Sequence, residues 1–85
     1  MSGIYATIHT PEMTPWSAED VAKAQAIPGT LSVVVAGMND CCITFEMPGD
    51  CANGECVANA KQVVSLIAKA FPGVSVKWTT TTASH

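Results

Sequence analysis

Cys51 and Cys56 are the residues of this chain with the clearest chemical potential, because they flank the predicted start of a helix. Backbone N–H groups without partners and the helix dipole stabilise a thiolate at such a position, so the pair could react or bind a metal ion. Four residues separate them, whereas redox motifs and common zinc sites use two. The alternative is that both are incidental, since buried cysteines often act as small hydrophobic residues.

His9 is the third candidate for such a site, because it ends the first predicted strand. If the first and third strands are parallel neighbours, His9 lies at the same sheet edge as the loop from Asp50 to Cys56. His9, Cys51 and Cys56 would then form a three-ligand site with one open position, or His9 would orient a thiolate. The simpler interpretation is a solvent-exposed histidine at a strand end, with no metal and no cofactor.

The adjacent cysteines Cys41 and Cys42 begin the third predicted strand. Neighbouring residues of a strand point to opposite faces, so we expect Cys41 in the core and Cys42 on the open side of the sheet. Cys51 lies beyond the far end of the same strand, about 20 Å away at ~3.3 Å per residue. This separation argues against a joint four-cysteine zinc site.

An internal repeat predicts the elements that position these residues. Segment 24–33 returns as segment 68–76 around a shared Pro-Gly pair, and each copy follows a helix-like stretch. Two strand–helix–strand halves predict an α+β fold of the ferredoxin-like type, with the order βαββαβ. The expected sheet is four-stranded and antiparallel in the order 4-1-3-2, with two helices on one face. One domain covers residues 1–85, and residues 81–85 form a frayed end.

Alternating apolar residues predict strands at 4–9, 31–35, 41–47 and 74–80. End signals predict a helix at 18–26, and an apolar stripe at helical spacing predicts another at 54–70. Ser17 is a predicted helix N-cap. Pairing of Gly37 with Cys41 leaves a three-residue hairpin loop in which Asn39 or Asp40 takes a left-handed conformation. The predicted inward residues outside the first strand are Leu31, Val33, Val35, Cys41, Ile43, Phe45, Met47, Val57, Ala60, Val64, Ile67, Phe71, Val74, Val76 and Trp78.

The open side of the predicted sheet is the leading candidate for a working surface. Only 13% of the residues are charged and 48% are hydrophobic, so uncharged polar and apolar groups must cover much of the surface. We therefore expect a small non-enzymatic binding or regulatory module that contacts a protein partner or a second copy through this face and loop 10–17. Trp16 is assigned to packing or, if exposed, to the contact. The predicted binding residues are Tyr5, Thr7, His9, Trp16, Val34, Thr44 and Glu46.

Composition weighs against other classes of function. The chain has four lysines, no arginine and a net charge of −3, which is unlike the basic surface of a nucleic-acid-binding protein. No segment has the length of a membrane span and no export signal is evident, so we expect a cytosolic protein whose thiols are free or metal-bound. A small dimeric oxygenase-like or isomerase-like enzyme is a third hypothesis, with Tyr5, His9 and Glu46 as acid–base groups. The alanine-rich chain without motifs is similar to small phage proteins that bind a host protein.

Overall fold

The computed structural model describes residues 2–51 and 54–82. Its elements follow the predicted order, with a short 3-10 turn, Met38–Asp40, between the second and third strands. The helices and strands are β1 (Ser2–His9), α1 (Ala18–Gln25), β2 (Ser32–Ala36), β3 (Cys42–Pro48), α2 (Glu55–Ala70) and β4 (Val76–Thr82). Strand β4 includes Thr81 and Thr82, the first two residues of the segment predicted to fray. Residues 83–85 lie outside the described part.

The strands form one antiparallel sheet in the order β2-β3-β1-β4, which is the predicted order read from the other edge. Together with two helices this makes an α+β fold. The predicted hairpin register is confirmed, because Val33 lies opposite Phe45 and Val35 opposite Ile43. Asn39 and Asp40 in the connecting turn both have positive φ, 58° and 53°. Alternation and turn chemistry were therefore sufficient to align β2 with β3.

The expected parallel pairing of the first and third strands is wrong, because β1 and β3 are antiparallel. Helix α1 carries the chain back across the sheet, so β2 runs parallel to β1 without touching it. The tight turn after β2 then reverses the chain, and β3 enters between them in the opposite direction. As a result His9 lies opposite Cys42, whereas Pro48 at the other end of β3 lies opposite Gly3.

The core lies between one face of the sheet and both helices. Phe45 is completely buried, as predicted, and belongs to one core cluster with Ala24 of α1 and Ile27 just after it. Burial of these apolar side chains is the main stabilising contribution to a fold of this size. The described core residues are Ile4, Ala6, Ile8, Ala24, Ile27, Ile43, Phe45, Met47, Cys56, Ala60, Val63, Ile67 and Phe71.

Three residues predicted to point inward are exposed. Leu31 is 65% exposed because it precedes β2 at the margin of the sheet, and Trp78 is 41% exposed on the other edge strand. Val57 is 43% exposed because α2 turns Cys56 and Val63 toward the sheet instead. Apolar residues at helical spacing include both Val57 and the buried Cys56 and Val63. The sequence pattern therefore did not determine which side of α2 faces the sheet.

Candidate functional site

The side of the sheet away from the helices, called here the open face, carries six of the seven predicted binding residues. Side chains of β1 alternate across the sheet, so Tyr5 and Thr7 are half-buried there and His9 is exposed. The strand register arranges the open face in three rows across the sheet. These rows are Ser32–Glu46–Tyr5, Val34–Thr44–Thr7–Lys77 and Ala36–Cys42–His9.

Polar groups in the middle of the open face bond to one another. The hydroxyl oxygens of Thr7 and Thr44 are 3.2 Å apart, and Ser32 Oγ donates to Glu46 Oε1 over 2.9 Å. Across residues 2–51 and 54–82, no buried side-chain nitrogen or oxygen lacks a partner. These internal bonds make the open face a satisfied, weakly charged surface that is suited to contact.

The three acid–base candidates are not assembled into one site. Tyr5 lies opposite Glu46, but His9 is four residues further along β1, roughly 13 Å away at ~3.3 Å per residue. The carboxylate of Glu46 is already bonded to Ser32. A cleft of about 350 Å³ opens beside His9 and Lys77, yet neither Tyr5 nor Glu46 lines it. The geometry therefore gives the enzyme hypothesis no support.

The outer edge of β2 is the least protected part of the described sheet. Strand β2 reads Ser-Val-Val-Val-Ala, without a charged residue or a proline, and Val34 at its centre is 51% exposed. Proteins normally protect a free edge with lysine, proline or a bulge, because its unpaired backbone groups can pair with another strand. The opposite edge strand, β4, carries Lys77 on the open face. The two edges therefore differ in their protection.

Trp16 fastens loop 10–17 to the end of the sheet. Its backbone N–H donates to the carbonyl oxygen of Asp40 over 3.2 Å, and its indole N–H donates to that of Cys41 over 2.7 Å. The ring also meets Phe71 edge-on, with centroids 5.4 Å apart. Trp16 is half-buried and bonded, which matches the packing alternative. Met13, 50% exposed, is the large apolar side chain that this loop presents.

Cys51 and Cys56 form a disulfide, with their Cα atoms 5.4 Å apart. The expectation of free or metal-bound thiols is therefore wrong for this pair. Cys56 is buried in the core, whereas Cys51 is exposed, so the bond joins the loop after β3 to the first turn of α2. His9 lies at the other end of β3, because β1 is antiparallel to it. Within the described ranges no group of three or more metal-ligating side chains is assembled.

Cys41 and Cys42 lie side by side, with their sulfur atoms 3.7 Å apart. The prediction that they point to opposite faces is wrong, because Cys41 has helical backbone angles, φ −87° and ψ −6°, at the end of the 3-10 turn. Cys41 is nevertheless buried, as predicted, and Cys42 is half-buried. Partial burial raises the pKa of the Cys42 thiol, and the hydrogen bond and charge of Cys41 raise it further. The signal in the sequence was a pair of consecutive cysteines directly after a predicted turn, where strand alternation does not apply.

No protein-family model, curated protein or solved structure matches this chain. Neither helix of the described part has the length and apolar character needed to cross a bilayer.

Proposed function

We propose that the protein is a non-enzymatic protein-binding module that acts through the open face and the outer edge of β2. The observation that carries this proposal is the uncharged, unprotected edge strand with Val34 exposed at its centre. Loop 10–17 extends the surface through Met13, and the adjoining turn through Met38, which is 70% exposed. A surface of exposed apolar and hydroxyl groups with few charges is typical of protein contacts.

We also propose that the fold is ferredoxin-like. The strand order β2-β3-β1-β4, with α1 following β1 and α2 following β3, supports this classification. Both helices contribute to one core on one side of the sheet. This arrangement leaves the open face and two sheet edges for partners.

The occupant we propose for the β2 edge is a second copy of the chain. Strand β2 is nearly symmetric about Val34, so two copies can pair antiparallel around a two-fold axis near this residue. No like charges would face each other in such a pair. The two four-stranded sheets would form a single sheet of eight strands. Val33 and Val35, half-buried in the single chain, would gain cover on the helix side.

Sedimentation equilibrium of the purified protein tests this assembly. We expect the wild type to have twice the mass of the chain and to keep it between low and moderate salt, since few charges take part. Val34→Lys places a charge at the centre of the edge and should give a folded monomer. Val57→Lys is the matched control, because Val57 is similarly exposed but lies on α2.

Two results would count against the proposal. A wild type that stays monomeric at its highest soluble concentration excludes assembly through a second copy. A Val34→Lys protein that keeps the dimer mass places the interface elsewhere. Far-UV circular dichroism of both variants establishes that any loss of mass does not come from unfolding.

A further inference from the structure

The sulfur atoms of Cys41 and Cys42 are spaced to hold one ion or atom between them. With bonds of about 2.3 Å, the length of a zinc–thiolate bond, their 3.7 Å separation corresponds to an S–X–S angle of roughly 107°. That angle lies just below tetrahedral, as in a pyramidal centre with three bonds and a lone pair, so one thiophilic centre can bridge the two sulfur atoms near their observed spacing. No third metal-ligating side chain completes a site in residues 2–51 and 54–82. The fitting ligand is therefore one that needs only two sulfur atoms from the protein.

We propose that Cys41 and Cys42 form a chelating site for trivalent arsenicals that carry one organic substituent, R–As(OH)2. The arsenic of such a compound keeps its bond to carbon and has two exchangeable bonds, which two thiols satisfy. This site shares the open face but does not lie on the β2 edge, because Cys42 belongs to β3, an inner strand of the sheet.

The backbone around the two thiols is already held in place. The carbonyl oxygen of Cys41 accepts hydrogen bonds from the indole N–H of Trp16 and the backbone N–H of Thr10, at 2.7 and 3.1 Å. The backbone N–H of Cys41 donates to the carbonyl oxygen of Met38. A site held in its binding geometry loses little conformational entropy when the ligand arrives.

Adjacency also disfavours a disulfide between the two thiols. Consecutive Cα atoms are about 3.8 Å apart, below the ~4.4 to 6.8 Å range of ordinary disulfides. Gly37 closes the site from one side, since a Cβ built on it would lie 2.8 Å from the sulfur of Cys42. The half-buried Cys42 and the exposed His9 opposite it leave the other side open to a reagent.

Binding is an exchange of ligands without oxidation. Two As–O bonds break and two As–S bonds form, each leaving hydroxide takes the proton of one thiol, and two water molecules depart. Arsenic remains trivalent throughout. Because the raised pKa of Cys42 keeps its thiol protonated near neutral pH, it supplies that proton and reacts slowly with alkylating reagents, which require the thiolate.

Phenylarsine oxide, which hydrates to this class of compound, is the test ligand. Native mass spectrometry without reductant should show one equivalent on the wild type, with the Cys51–Cys56 disulfide intact. Cys42→Ser should lower the affinity by about 100-fold or more, since a single thiol loses the chelate advantage. The double variant Cys51→Ser, Cys56→Ala should still bind one equivalent.

Thermal unfolding separates a folded site from capture of an opened chain. A site present in the folded protein raises Tm when the arsenical binds, whereas a ligand that prefers the unfolded chain lowers it. A lowered Tm overturns the proposal. So does a Cys42→Ser protein that binds within threefold of the wild type, or an adduct that maps to Cys51 and Cys56.

Discussion

The indole N–H of Trp16 donates a hydrogen bond to the carbonyl oxygen of Cys41 over 2.7 Å. The same oxygen accepts the backbone N–H of Thr10, so one acceptor joins the loop before α1 to the turn before β3. The ring of Trp16 meanwhile packs edge-on against Phe71 at the end of α2. The two segments that extend the proposed surface are thus fixed relative to the sheet.

Trp16→Phe should destabilise the protein by about 1 kcal/mol, because it removes the hydrogen-bond donor but keeps an aromatic ring near Phe71. Trp78→Phe is the matched control. Trp78 is 41% exposed, so its substitution should change stability by less than about 0.5 kcal/mol. Urea unfolding of the two variants measures the difference. Equal losses of unfolding free energy in the two variants would mean that the hydrogen bond from Trp16 to Cys41 does not stabilise the protein.

The repeated Pro-Gly turns offer a matched pair of glycines, Gly29 and Gly73. Both have positive φ, +90° and +83°, so alanine at either position is strained by about 1 kcal/mol or more. A Cβ on Gly29 would also lie 2.8 Å from Val63 and Asn59 of α2, whereas nothing lies within 4 Å of one on Gly73. Gly29→Ala should therefore lower the free energy of unfolding more than Gly73→Ala.

Chemical denaturation of these two variants checks the ranking. If Gly73→Ala is the more destabilising substitution, close packing of the first turn against α2 has no energetic weight. The comparison is sharp because strain in the left-handed region is common to both sites, so it cancels in the difference. What remains is the cost of relieving the contact with the side chains of Asn59 and Val63.

Much of this architecture could be predicted from local patterns. Alternation in β2 and β3 aligned Val33 with Phe45, and the side chain of Ser17 does accept the backbone N–H of Asp20 at the start of α1. The relative direction of β1 and β3 follows from the helical connection, which the alternation of single strands does not record. The position of His9 beside Cys42 therefore follows only when the direction of each strand is traced through α1 and the hairpin turn.

The thiol sites depended on backbone geometry that residue patterns do not contain. The sequence predicted that Cys51 and Cys56 are free or metal-bound, whereas the fold brings their Cα atoms within 5.4 Å and they form a disulfide. Strand alternation predicted that Cys41 and Cys42 point to opposite faces of the sheet. The 3-10 turn instead gives Cys41 helical backbone angles, and its sulfur atom lies beside that of Cys42. Both sulfur arrangements involve residues outside regular strands, where the two-residue alternation of side chains does not apply.

Reduction of the Cys51–Cys56 disulfide should destabilise the protein by about 2 kcal/mol, the value expected for a loop with a sequence separation of 5. Urea unfolding with and without dithiothreitol measures this loss. The control is Cys51→Ala, which lacks the bond and whose midpoint should not respond to the reductant. Thiol titration of the unfolded, unreduced protein should find two free thiols, and four would contradict the pairing.

Stability should fall in alkaline solution because of Cys42. Its folded pKa is raised above the ordinary value of 9.0, so the unfolded chain loses the thiol proton first. The contribution of Cys42 to stability is therefore fully present below pH 9.0 and decreases as pH rises through the folded pKa. Cys42→Ser removes the titrating group and should lack this decrease. Both proteins are compared in the Cys51→Ser, Cys56→Ala background, which prevents disulfide exchange. A difference in unfolding free energy that stays constant above pH 9.0 would contradict the raised pKa.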